Sequence, residues 1–185
     1  MIGRMTLLFT GTLLLAACAG APAGTLSGTR GATISPFYAP ALVSYVARNG
    51  TFPVVVRGNP FGGVPQAQLE QALHQRMRLP GWAPNARFTA DPAAEAGTGL
   101  RLVVLFNPAG TVGLRAVCGD LSGMAYTGPA NQMTMRVGFC DGPQSMSDVT
   151  LRTAPPPDET SAAFIGALNN AAAAALPFID RNTGQ

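Results

Sequence analysis

The stretch ALVSYVARNGTFPVVVRG, residues 41–58, sets how the fold begins. Two apolar runs flank Asn49-Gly50, and Asn-Gly between such runs is the strongest short-range hairpin signal, because both residues tolerate the positive φ of a tight turn. Val43, Tyr45, Val46 and the valines at 54, 55 and 56 all favour strands. The rival reading makes residues 41–48 a helix, with Pro40 suited to its first turn and Gly50 just past its end. The hairpin is favoured; the helix remains the alternative.

Working outward, PQAQLEQALHQRMR (65–78) carries Leu69, Leu73 and Met77 at i, i+4 and i+8. Pro65 at the first turn and Pro80 just beyond the last complete the pattern of a short amphipathic helix. Three strand-like runs follow, ARFTAD, GLRLVVLFNP and TVGLRAVCG, separated by Gly, Pro and Asn. QMTMRVGFCDG and SDVTLRT add two more. A second helix is predicted over 158–176, with Asp158 as its cap, Phe164, Leu168, Ala171, Ala172 and Ala175 on one face, and Pro177 as its stop. Strands and helices without regular alternation predict an α+β, two-layer domain: a mainly antiparallel sheet of about five to seven strands with two helices.

The folded part is expected to run from 37 to 185 as a single domain, long enough to bury a real core. Before it, residues 19–36 read AGAPAGTLSGTRGATISP, small and polar with almost nothing to bury, so 18–36 is predicted to be a flexible tether. Eighteen such residues span roughly 20 to 25 Å as a random coil.

Residues 1–17 have the anatomy of a secretory signal peptide: a positive head ending at Arg4, an apolar middle and a small-residue boundary. The apolar run from Met5 to Ala17 is too short for the roughly 20 residues of a bilayer span. Leu15-Ala16-Ala17-Cys18 resembles the lipobox of bacterial lipoproteins. The resemblance implies that the Cys18 thiol receives a diacylglyceryl group, that the leader is cut before it, and that the new amino terminus is acylated, for instance with palmitate. Two or three acyl chains anchor stably where one does not, at about 0.8 kcal/mol per buried methylene. Ala19, where retained lipoproteins of this kind carry Asp, implies the outer membrane with the domain facing the periplasm; the periplasmic face of the inner membrane is the alternative. VVVRGNPFG, VLFNP and the spaced CG and FC also resemble small envelope lipoproteins of Gram-negative bacteria, a likeness that brings no activity with it.

Charge excludes one class of partner. All 12 basic residues are Arg, and removing Arg4 with the leader leaves 11 against 9 acids, a net charge of about +2. They are scattered singly, whereas nucleic-acid binding needs a clustered basic face. With Cys18 assigned to lipid, Cys118 and Cys140 remain as a pair in an oxidising compartment and are predicted to form a disulfide between two strands.

The remaining chemistry is sparse. His74, the only histidine, flanks the apolar stripe of the first helix, and no G-x-S-x-G elbow accompanies it, so a hydrolase is the least favoured class. Met133 and Met135 share a strand face, with Met124 and Met146 near in sequence, a pattern that suits either a core or soft-metal Cu(I) binding. Tyr38, Tyr45, Phe61 and Trp82 are candidates for a ligand or partner site, or for the core beneath the hairpin. No cofactor or metal site is predicted. The expectation is a non-enzymatic, lipid-anchored lipoprotein with a structural or accessory role, whose partners are the membrane and another envelope protein; a small-ligand or copper binder is the alternative.

Overall fold

The computed structural model describes residues 30–109, 116–128 and 130–179. The leader, Cys18, the first part of the tether and the 111–115 portion of TVGLRAVCG lie outside the described residues. The described chain folds as an α+β domain around one six-stranded mixed sheet. In chain order its elements are β1 (Arg30–Ile34), α1 (Pro40–Ala47), β2 (Thr51–Arg57), α2 (Gln66–Arg76), β3 (Arg87–Thr89), α3 (Pro92–Glu95), β4 (Leu100–Phe106), β5 (Met133–Asp141), β6 (Gln144–Thr153) and α4 (Ala162–Ala175). A single 3₁₀ turn, Ala116–Cys118, lies between β4 and β5.

Residues 41–58 fold as helix then strand, so the favoured hairpin is overturned and its rival stands. Pro40 occupies the first turn of α1, and Val43 and Ala47, four apart, are buried on its inner face. Burial of that stripe overrides the strand preference of valine and tyrosine, a weak local term beside tertiary packing. Asn49-Gly50 turns the chain from helix to strand: the Gly50 amide donates to Ala47 O at 2.9 Å, and Gly50 takes the left-handed φ of 75°.

The strand order is β1-β6-β5-β4-β2-β3. β2 pairs in parallel with both β3 and β4, so α2 serves as a crossover; the β4-β5, β5-β6 and β6-β1 pairs are antiparallel. The sheet is therefore antiparallel over its larger part and parallel at one side. α1 and α3 add to the two helices read from sequence.

β1 corrects the tether boundary. Arg30–Ile34 pairs with β6, aligning Thr33 with Asp148 and Ile34 with Ser147. Ala32, Thr33 and Ile34 are all exposed, so this edge strand is held by backbone bonds rather than by an apolar face. A stretch that buries nothing carries no periodic signal, which is why it reads as tether.

Alternation along the central strands divides the interior. Val54 and Val56 of β2, Leu102, Val104 and Phe106 of β4, and Met135, Val137 and Phe139 of β5 face α1, α2 and α4. Val55, Val103, Leu105 and Cys140 face the opposite side, under Ala94 of α3, Val117 and Cys118. Each fully buried side chain of this size contributes about 1.5 to 3 kcal/mol. Arg136 of β5 and Asp148 of β6 form a buried ion pair at 3.3 Å on that second side.

Cys118 and Cys140 are joined, with Cα atoms 5.5 Å apart. The partners differ from the expected two strands: Cys118 ends the 3₁₀ turn, and Cys140 is on β5. The bridge therefore fastens the β4–β5 connection onto the second face of the sheet. Asp158 is not the cap of α4. Ser161 is, accepting from the Phe164 amide at 3.3 Å, while Asp158 organises the preceding turn by accepting from Thr160.

Candidate functional site

α4 ends in carbonyls that no further helical turn can satisfy. Three side chains from separate parts of the chain bond the carbonyl of its last residue and those of the two residues that follow. Ser147 of β6 donates its hydroxyl to Ala175 O, the Trp82 indole donates to Leu176 O at 3.2 Å, and the Tyr38 phenol donates to Pro177 O at 2.6 Å. Burial pushes the Tyr38 phenol above its ordinary pKa, which keeps it a proton donor across the physiological range.

Three of the four large apolar side chains that are exposed among the described residues adjoin these bonded groups in sequence or in strand register. Phe37, next to Tyr38, is 77% exposed; Phe178, next to Pro177, is 63% exposed; Ile34, paired with Ser147, is 39% exposed. Trp82, half-buried, sets its ring 5.6 Å from that of Phe178. The result is an aromatic corner: the Ala175, Leu176 and Pro177 carbonyls are bonded from within, and the apolar side chains are exposed.

Of the four aromatic candidates read from sequence, the fold brings Tyr38 and Trp82 together at this corner. Tyr38 itself is core, with its ring edge-on to Phe139 at 6.2 Å. Phe61 lies at the other end of α4, edge-on to Phe164 at 5.0 Å. Tyr45 is on the outer side of α1, where the Arg48 guanidinium sits 3.9 Å over its ring. Phe61 and Tyr45 thus stand apart from the Tyr38–Trp82 corner. Phe178 and Ser147 were missed: Phe178 follows the proline that stops the helix, and nothing local marks Ser147 as a distant helix cap.

The chain matches no known protein family, no curated protein and no solved structure. The site must therefore be read from its own chemistry.

The opposite side of the sheet holds a cleft of about 340 Å³ between α3 and the segment after the disulfide. Arg57 and Glu95 form an ion pair on its wall, and that bond raises the Arg57 pKa. Arg101, 1% exposed, donates to the carbonyls of Gly99 at 3.2 Å, Gly142 at 3.0 Å and Cys118 at 3.1 Å. Its guanidinium thus ties the β5–β6 turn to the disulfide segment. At the rim, the Ser122 amide donates to Asp120 at 2.9 Å and holds that carboxyl below its usual pKa. The cleft's charges are largely spent on the protein itself.

The other candidates occupy ordinary positions. Met133, Met135 and Met146 are buried in the main core, and Met124 packs at the margin of the second one. His74 stands half-buried on α2 beside Arg78, Asn85 and Thr89. Among the described residues, no group of three or more His, Cys, Asp or Glu side chains is placed to hold a metal, and no helix is long and apolar enough to cross a membrane.

Proposed function

We propose that this protein is a lipid-anchored lipoprotein of the bacterial envelope, held at the periplasmic face of the outer membrane through Cys18. Its domain acts there as a non-enzymatic accessory that contacts another envelope protein. The observation that carries this reading is the cysteine arithmetic. Cys118 and Cys140 are bonded to each other inside the domain, as befits an oxidising compartment, which leaves Cys18 at the lipobox as the one remaining thiol. Among the described residues β1 is an edge strand, the kind of element to which such a partner can add a strand.

Labelling cells with a palmitate analogue tests the anchor. The wild-type chain is expected to incorporate label and fractionate with outer membranes, and Cys18→Ser to lose both while keeping its fold. A Cys18→Ser chain that stayed tightly membrane-bound would overturn the reading. The alternative reading, small-ligand binding, has the cleft beside α3 as its site. A saturable rise in melting temperature with one ligand class, lost in Arg57→Ala, would support it.

A further inference from the structure

We propose that the aromatic corner formed by Phe37, Trp82 and Phe178 rests on the lipid surface that holds the anchor. This orients the domain rather than leaving it free on its tether. The inference depends on the reading of Cys18 as lipidated.

Three observations favour lipid as the occupant. The first is reach. Twelve residues, Cys18 to Thr29, separate the acylated position from β1, and a small-residue chain of that length spans roughly 17 to 21 Å. β1 itself carries the chain about 13 Å further, from Arg30 to Ile34 at the corner. The tether is thus long enough to let the corner touch the bilayer, and short enough to keep it at high effective concentration there.

The second is chemistry. A surface that enters an apolar phase must have its backbone polar groups satisfied internally. The Ala175, Leu176 and Pro177 carbonyls meet that condition through Ser147, Trp82 and Tyr38, while the outward groups are phenylalanine and the edge of a tryptophan. Tryptophan is enriched at the membrane–water boundary, and phenylalanine lies on the apolar face that such surfaces bury.

The third is composition. The tether residues 18–29 hold one large apolar side chain, Leu26, and so lack the surface to cover two phenylalanines and a tryptophan. With the corner on the membrane, the cleft on the other side of the sheet remains open to a periplasmic partner.

Trp82 is the chain's only tryptophan, so the corner carries its own reporter. The full lipidated chain is reconstituted into vesicles of phosphatidylethanolamine and phosphatidylglycerol, with and without brominated acyl chains, and vesicle binding is followed by flotation. Docking is expected to shift Trp82 emission to the blue and to let bromine quench it. Both effects should be lost in Phe37→Ser/Phe178→Ser, which still floats and unfolds at the wild-type temperature. Flotation without quenching overturns the docking and leaves the anchor intact. Quenching that persists in the double variant also overturns it. A blue shift that grows with protein density and lacks bromine quenching assigns the corner to a second copy and likewise overturns the proposal. A chain that fails to float refutes the anchor, and the docking falls with it.

Discussion

The Tyr38 phenol donates a 2.6 Å hydrogen bond to the carbonyl of Pro177, 139 positions along the chain. This bond locks the segment that follows β1 to the exit of α4, so the two ends of the domain are held at one corner. Removing the hydroxyl with Tyr38→Phe keeps the ring against Phe139 and deletes only the bond. The expected cost is about 1 kcal/mol, a fall in melting temperature of about 2 to 4 °C for a domain this size. Thermal unfolding by circular dichroism measures it, and an unchanged midpoint would show that the bond holds nothing.

The disulfide closes a loop with a sequence separation of 22. On the chain-entropy account, Cys118→Ala/Cys140→Ala should lose about 3 kcal/mol. The loss should be seen in urea as a lower midpoint, and reduction of the wild-type protein should reproduce it. Since Arg101 also grips the Cys118 carbonyl, the double variant is further expected to speed amide exchange in residues 116–122.

Gly138 is a packing site on β5. A Cβ there would lie 2.6 Å from Cγ1 and 3.1 Å from Cγ2 of Val117, which is fully buried. Gly138→Ala is therefore expected to destabilise by about 1 to 3 kcal/mol through overpacking. In a Val117→Ala background the same change should cost distinctly less. A double-mutant cycle reads that coupling, and strict additivity would mean the two sites do not touch.

His74 gives the domain a pH dependence of known sign. Burial lowers its pKa below the ordinary value near 6.5, against the opposing pull of Glu70 and then Glu95. The unfolded chain therefore binds the proton more readily than the native one, and stability rises with pH through this window. The contribution is complete above the unfolded value and is lost as pH falls below it. Unfolding midpoints measured from pH 7.5 to pH 5 should drop, and His74→Gln should flatten that part of the profile.

Much of the fold was legible. β5 and β6 announce themselves by alternating apolar side chains, β4 by a continuous apolar run, and α2 and α4 by their 3.6-residue stripes. These elements bury a face, and burial writes a period into the sequence. The 41–58 stretch misled because its residues suit two local structures. Only the cavity over β2 and β4, which takes Val43 and Ala47, selects the helix. Of the candidate site, Tyr38 and Trp82 were visible as aromatics. Their shared role was not, because it depends on the Pro177 and Leu176 carbonyls just past α4, 139 and 94 positions away.

The sequence by itself determined the α+β class and the elements with a buried face, since each is a matter of local composition or spacing. Tertiary structure alone decided that Arg30–Ile34 is a strand, that β2 runs parallel to β4, and that three distant donors cap one helix end. The reason is physical. Backbone pairing at a sheet edge and capping at a distance are satisfied by groups that every sequence carries, so they leave no pattern of their own.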